Sequence, residues 1–192
     1  MNFERLTEQF AFLQKAENLK NTLRSAHTSA GRQESSAEHT WRLCLMILTF
    51  EKELDGLDVA KLLKLAVVHD LAEAVYGDIP AVEQGASRDK EAEEKRAMDE
   101  LLVDLPTDVK THFLDLWNEY EEVQTDEAKF LKGLDKLETI LQHNQGLNEP
   151  DFDYEFNLSY GKQYMDAHPL LARMRSMLDK VTRERANQNE NN

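Results

Sequence analysis

Two histidines and a few acids stand out by where they fall along the chain. His69 and Asp70 are adjacent and follow the apolar run Leu62-Leu63-Lys64-Leu65-Ala66-Val67-Val68. An uncompensated carboxylate beside such a run is expensive to bury. On a helix, positions 62, 65, 66, 69 and 73 form one stripe, so His69 and Glu73 share a face at i, i+4 while Asp70 sits one residue round. A divalent cation held by His69 and Asp70 would supply the missing positive charge, with Glu73 near enough to act on a bound water without being a ligand. The alternative is a His–carboxylate pair that satisfies itself at a helix interface. His39 lies in the first turn of the preceding helix, and Asp135 falls in the context Phe130-Leu131-x-x-Leu134-Asp135-x-Leu137, again an acid beside a core stripe. Together these residues give two imidazoles and two carboxylates, a borderline donor set that fits Co²⁺, Mn²⁺, Mg²⁺, Fe²⁺, Ni²⁺ or Zn²⁺ with positions left open.

The elements that must position them read as helices. Glycine (7) and proline (4) are scarce and i, i+3, i+4, i+7 apolar spacing recurs, which predicts an all-α chain. A first helix over 3–22 is followed by a polar stretch, Ser25 to Ser36, that reads as a loop. Ser35-Ser36-Ala37-Glu38 fits the S-x-x-E capping box and starts a helix running to about Leu54. The next is expected from its N-cap Asp58 to Gly77, beyond which Pro80 cannot extend it. Further helices are expected at 89–104, 107–123 and 126–145, then a loop over 148–156 and a pair at 158–166 and 169–186, before a polar tail from 187 that frays. No linker divides residues 1–186, so they are expected to form a single domain.

The chain has 192 residues and a net charge of −14, which would repel a phosphate polymer or an anionic membrane. A small phosphorylated substrate remains compatible if a few cations reverse the field locally. One cysteine, Cys44, a charged amphipathic start and no apolar run of ~18 residues give the expectation of a cytoplasmic protein that does not enter membranes. No Gly-rich phosphate loop occurs. His143 reads as a helix cap, His112 and His168 as surface or interface residues, and His27 and Arg32 as loop residues that would border the site. Trp41, Trp117 and Tyr120 read as core. Glu91 and Lys95 make an i, i+4 pair on a solvated face. Leu170, Leu171, Met174 and Leu178 in the last helix could form a homodimer contact.

The order His39…His69-Asp70…Asp135 resembles the HD-domain metal phosphohydrolases, whose signature is H…HD…D and whose fold is a helical bundle. Glu38-His39, Val67-Val68-His69-Asp70-Leu71-Ala72-Glu73, Gly77-Asp78-Ile79-Pro80 and Leu134-Asp135-Lys136-Leu137-Glu138 are similar to the branch that contains the 5′-deoxynucleotidases, across about residues 15–145. The resemblance implies a metal bound by His39, His69, Asp70 and Asp135, and Glu73 as general acid/base on the metal-bound water. It also implies Asp78 beside the sugar and scissile phosphate, and Arg24 as a phosphate contact. Ser25 stands where well-known bacterial members carry a tryptophan that shapes the sugar pocket. The activity implied is release of phosphate from (deoxy)nucleoside 5′-monophosphates. The alternatives are HD-type hydrolysis of a nucleoside triphosphate, cyclic nucleotide or alarmone, or a non-catalytic metal- and nucleotide-sensing module.

Overall fold

A computed structural model describes residues 2–78 and 90–189. Helix α1 (Phe3–Ala16) starts where the Asn2 side chain accepts from the Glu4 N–H, and it tightens into a 3₁₀ turn, Glu17–Lys20. A two-stranded antiparallel hairpin follows, β1 (Leu23–His27) and β2 (Gln33–Ser35). Helices α2 (Ser36–Thr49), α3 (Val59–Val68), α4 (Glu73–Tyr76), α5 (Lys90–Leu101), α6 (Thr107–Glu122), α7 (Asp126–Gln145), α8 (Tyr154–Ser159) and α9 (Pro169–Asn189) complete the bundle.

The core is organised around α7, which packs against α2, α3, α6 and α9. Leu43 and Ile47 of α2, Leu62 and Leu65 of α3, Leu131, Leu134 and Leu137 of α7, and Leu171 of α9 form one apolar cluster. Each such side chain stabilises the fold by about 1.5–3 kcal/mol through its burial. A second cluster joins Phe12 of α1, Val68, Leu71, Met98 of α5 and Trp117 of α6. The His69–Asp70 pair therefore sits at the seam between two apolar clusters.

Several expectations are corrected. The helix expected from Asp58 to Gly77 is capped by Asp58, whose side chain accepts from the Lys61 N–H, but its regular part ends at Val68. From there the bonds tighten to i→i+3, with Leu71 N–H to Val68 O (3.2 Å), Glu73 N–H to Asp70 O (3.0 Å) and Val75 N–H to Ala72 O (3.1 Å). This winding departs from the 3.6-residue period on which the i, i+4 stripe rests. The Ser25–Ser36 stretch is not a loop throughout: it carries most of the hairpin, only 28–32 lie outside its strands, and Ser36 already opens α2. Helix α8 begins at Tyr154, inside the expected 148–156 loop, because Asp153 caps it. Residues 162–167 are 3₁₀ rather than α, and α9 continues to Asn189 past the expected fraying point. Trp41 is 65% exposed rather than core. The α9 face proposed for a dimer is packed inward, with Leu171 in the core and Leu170, Met174 and Leu178 against it. Ile79, Pro80 and Asp89, the Glu91 side chain of the expected pair, and residues 190–192 lie outside what the structure describes.

The capping box of α2 is present in full: the Ser35 hydroxyl accepts from the Glu38 N–H, and a Glu38 carboxylate oxygen accepts from the Ser35 N–H at 2.9 Å. It anchors the turn that carries His39. Ser35→Ala is expected to lower unfolding stability by about 1 kcal/mol. Urea melts of the two proteins check this, and equal midpoints would show that the box contributes nothing.

Candidate metal centre and cavity

His39 projects from the first turn of α2, His69 from the C-terminal end of α3, Asp70 from the tightened turn, and Asp135 from the middle of α7. The structure brings all four together. Nε2 of His39 lies 3.4 Å from Nε2 of His69, 3.7 Å from Asp70 Oδ2 and 3.2 Å from Asp135 Oδ1. His69 Nε2 is 3.0 Å from Asp70 Oδ2. Donor atoms of His39, His69 and Asp70 all lie within 4.8 Å of one another, and Asp135 joins the group through His39.

The groups behind these residues explain why both Nε2 atoms face inward. His69 Nδ1 donates to the Ala66 carbonyl at 2.7 Å, and His39 Nδ1 is paired with the buried Glu138 carboxylate. With Nδ1 as the N–H on each ring, two Nε2 lone pairs point at a common centre that suits a cation. Charge tells the same story. Burial and Arg24 alone would lower the pKa of His39, yet Glu138 and Asp135 hold it up at about 10, so the same carboxylates that hold a second proton on Nε2 would favour a cation in its place. Burial opposes ionisation of Asp70, but His69 and His39 keep its carboxyl well below the usual carboxylate range. Asp135 is held low in the same way, burial being overcome by Lys136, His39 and His69. Its other oxygen accepts from Tyr120 Oη (3.1 Å) and Lys136 Nζ (2.9 Å). The donor set and its surroundings thus fit a divalent ion.

Beside this cluster opens a cavity of about 400 Å³ lined by Arg24, Ser25, Asp70, Glu73, Asp78 and Thr139, among others. Arg24, on β1, reaches Thr139 Oγ1 at 3.1 Å and Asp70 Oδ2 at 3.5 Å, with buried Glu34 of β2 on its other side at 3.7 Å. Glu73 accepts from the Ser36 hydroxyl at 2.6 Å, while its backbone and that of Ala74 are held by Thr22 Oγ1 (3.1 Å) and Asn18 Nδ2 (2.6 Å). Burial, then the charges of Asp70 and Asp78, pushes Glu73 up to about 9, so it carries a proton at neutral pH.

Sequence reasoning gave no role to several residues that build this site. Glu138, fully buried, holds both His39 and the Arg42 guanidinium, which donates from Nε at 2.5 Å. Lys136 and Thr139 line the cavity, and Ser36 orients Glu73. His143 is not a cap: it is buried in the cavity wall with Nδ1 3.0 Å from Asn157 Oδ1. Tyr120 is core as expected, but it also touches His69 edge-to-face and bonds Asp135. His27 lines the cavity, whereas Arg32 is exposed and paired with Glu38. His112 is on the surface, and His168 packs on Phe130.

Comparison with known proteins places this geometry in context. The HD domain family matches residues 16–175. The chain is 42% identical to the 5′-deoxynucleotidase HDDC2 of Xenopus laevis over 112 residues, 58% of this chain and 54% of that protein. It is 34% identical to the human protein of the same name over 136 residues, 70% of this chain and 66% of that one. These matches thus span between half and two thirds of those relatives. The 5′-deoxynucleotidase hdd1 of Schizosaccharomyces pombe is 33% identical over 195 residues, 96% of this chain and 94% of that protein. A solved structure from Magnetospirillum magnetotacticum MS-1, described as a predicted metal-dependent phosphohydrolase, superposes with a TM-score of 0.81 at 26% identity, covering 94% of each chain.

Two outcomes are expected. Glu138→Gln removes the charge that fixes His39, and Mn²⁺ or Co²⁺ affinity by titration calorimetry is expected to fall roughly tenfold or more. Unchanged affinity would deny Glu138 that role. Burial pushes His143 down to about 4 from its ordinary 6.5. The unfolded chain therefore binds a proton that the folded one refuses, and stability is lost as pH falls from about 6.5 toward 4. In His143→Asn the fall in urea midpoint across that window should be shallower. Identical slopes would contradict a neutral buried ring.

Proposed function

The chain belongs to the HD-domain family, and from that membership we propose that it is a divalent-metal-dependent phosphohydrolase releasing orthophosphate from nucleoside 5′-monophosphates, deoxynucleotides first among them. One observation carries the reading: an imidazole–carboxylate cluster, a largely withdrawn arginine and a carboxyl group held by Ser36 border the same cavity. The names borne by the relatives support the same substrate class.

His39, His69, Asp70 and Asp135 would hold the cation, which when bound supplies a nucleophile at neutral pH and neutralises phosphoryl charge. The chain's own groups do the rest. Arg24 sits between Asp70 and Thr139, where its guanidinium can pair two phosphate oxygens in an otherwise acidic protein. Asp78 lines the same cavity near enough to Glu73 to act on its charge, and would lie beside the sugar and the scissile phosphate. Glu73 delivers its proton to the departing 5′ oxygen as the P–O bond breaks, and the carboxylate so formed takes up the proton lost by the water that makes the new P–O bond. Ser36 holds that carboxyl group in place. The hydroxyl of Ser25, exposed on β1, leaves the sugar side of the cavity open.

Orthophosphate release from deoxy- and ribonucleoside 5′-monophosphates with Co²⁺, Mn²⁺ or Mg²⁺ added tests the reading. Glu73→Ala is expected to retain its metal while losing roughly 10²- to 10⁴-fold in turnover. Asp70→Ala should lose both metal and turnover. Loss of metal in Glu73→Ala would make that residue a ligand and sink its assignment as the proton carrier.

A further inference from the structure

The cavity has two chemically different ends, and α7 runs between them. Asp135, Thr139 and His143 recur at i, i+4 and i+8, which places them on one face of the helix over ~12 Å. At the first end are the metal cluster and Arg24. At the second, His143 and the half-buried Phe152 and Phe156 line the wall, the His143 and Phe152 rings meeting edge-to-face with centroids 4.8 Å apart. Asn157 Oδ1 takes the N–H of His143 Nδ1, which leaves Nε2 as an acceptor for whatever enters. The depressed pKa of His143 agrees with a ring that stays neutral at pH 7. Glu149 and Asp151, exposed on the segment leading into Phe152, line the same cavity and add two more acceptors.

Two carboxylates repel a phosphate from the second end, while Arg24 and the metal cluster attract it to the first. An aromatic edge beside a neutral acceptor suits a flat heterocycle that donates hydrogen bonds. Building on the nucleotidase reading above, we propose that the His143–Phe152 end is the nucleobase subsite. The base packs against Phe152, and His143 Nε2 accepts from an exocyclic amino group, so cytosine and adenine nucleotides are favoured over thymine and uracil ones. A carbonyl oxygen in place of the amino group would face acceptors, leaving His143 unpaired. The segment between α7 and α8 thereby becomes the specificity element of this protein.

The test is kcat/KM for dAMP, dCMP, dTMP and dUMP on the metal-loaded protein, with dissociation constants for the same four on Glu73→Ala. The pair dCMP and dUMP differs only at the group on C4 and at the neighbouring N3, which carries a proton in uracil and none in cytosine, and a preference of roughly tenfold for dCMP is expected. Phe152→Ala and His143→Leu should bring that ratio toward one, with His143→Asn as a second variant should the leucine protein fail to fold. A ratio near one in the unaltered protein, or a ratio that survives in Phe152→Ala and in a folded His143 variant, overturns the subsite. If no nucleotide is hydrolysed but binding still follows the base order, the nucleotidase reading fails and the subsite stands. Binding without base order overturns the subsite whatever the turnover.

Discussion

Burying carboxylates without paying for them in positive charge is what this fold has to avoid, because an isolated ionised acid in an apolar interior costs several kcal/mol or more. Here Asp135 and Glu138 are almost wholly withdrawn from solvent on one helix, with His39 and His69 packed against them. Arg42 and Lys136 neutralise the outer oxygens, and Arg24 presses on Asp70 from the hairpin. The remaining inward charge is negative and converges on two imidazole lone pairs. A cluster suited to a cation therefore follows from the way the bundle is assembled. The central position of α7 follows too, because it carries both buried acids and packs against α2, α3, α6 and α9.

Three residues of that cluster are legible because each breaks a pattern. His69-Asp70 interrupts an apolar run, and Asp135 interrupts a core stripe. Glu138 breaks the same stripe one turn later, so the signal that found Asp135 was also there for it. It stands in the Leu134–Glu138 motif, yet acids are common on helices and the motif alone gives it no role of its own. His143 gave no comparable sign, since its role depends on Asn157 and Phe152, brought to it by a turn that periodicity does not describe.

Local winding and pairing were harder to read than residue identity. The sequence from 58 to 77 keeps helical spacing throughout, and nothing in its composition marks the passage from i→i+4 to i→i+3 bonding at Val68. The hairpin is short and polar, and β1 and β2 lack the β-branched alternation by which strands announce themselves. Its stability comes from tertiary contacts instead: Gln142 Nε2 donates to His27 O at 2.5 Å, and Leu147 N–H donates to Thr28 O at 3.0 Å. Trp41 shows the opposite error. A large aromatic at helical spacing is exposed because α2 turns its other face, with Leu43 and Ile47, to the core.

The hairpin also limits how this chain can vary in length. Leu23 pairs with Ser35 and His27 with Gln33, so the two strands are already out of step across Arg24. Since side chains alternate along a strand, adding or removing one residue within β1 would turn the guanidinium away from Asp70 and Thr139. The far end is no freer, because a Cβ on Gly146 would stand 2.2 Å from His27 O, and Leu147 is bonded to Thr28. Only the exposed tip at Ser29 and Ala30 lies clear of these attachments. Insertions and deletions among related sequences should therefore gather at those two positions, and alignments that open gaps elsewhere between 23 and 35 should be distrusted.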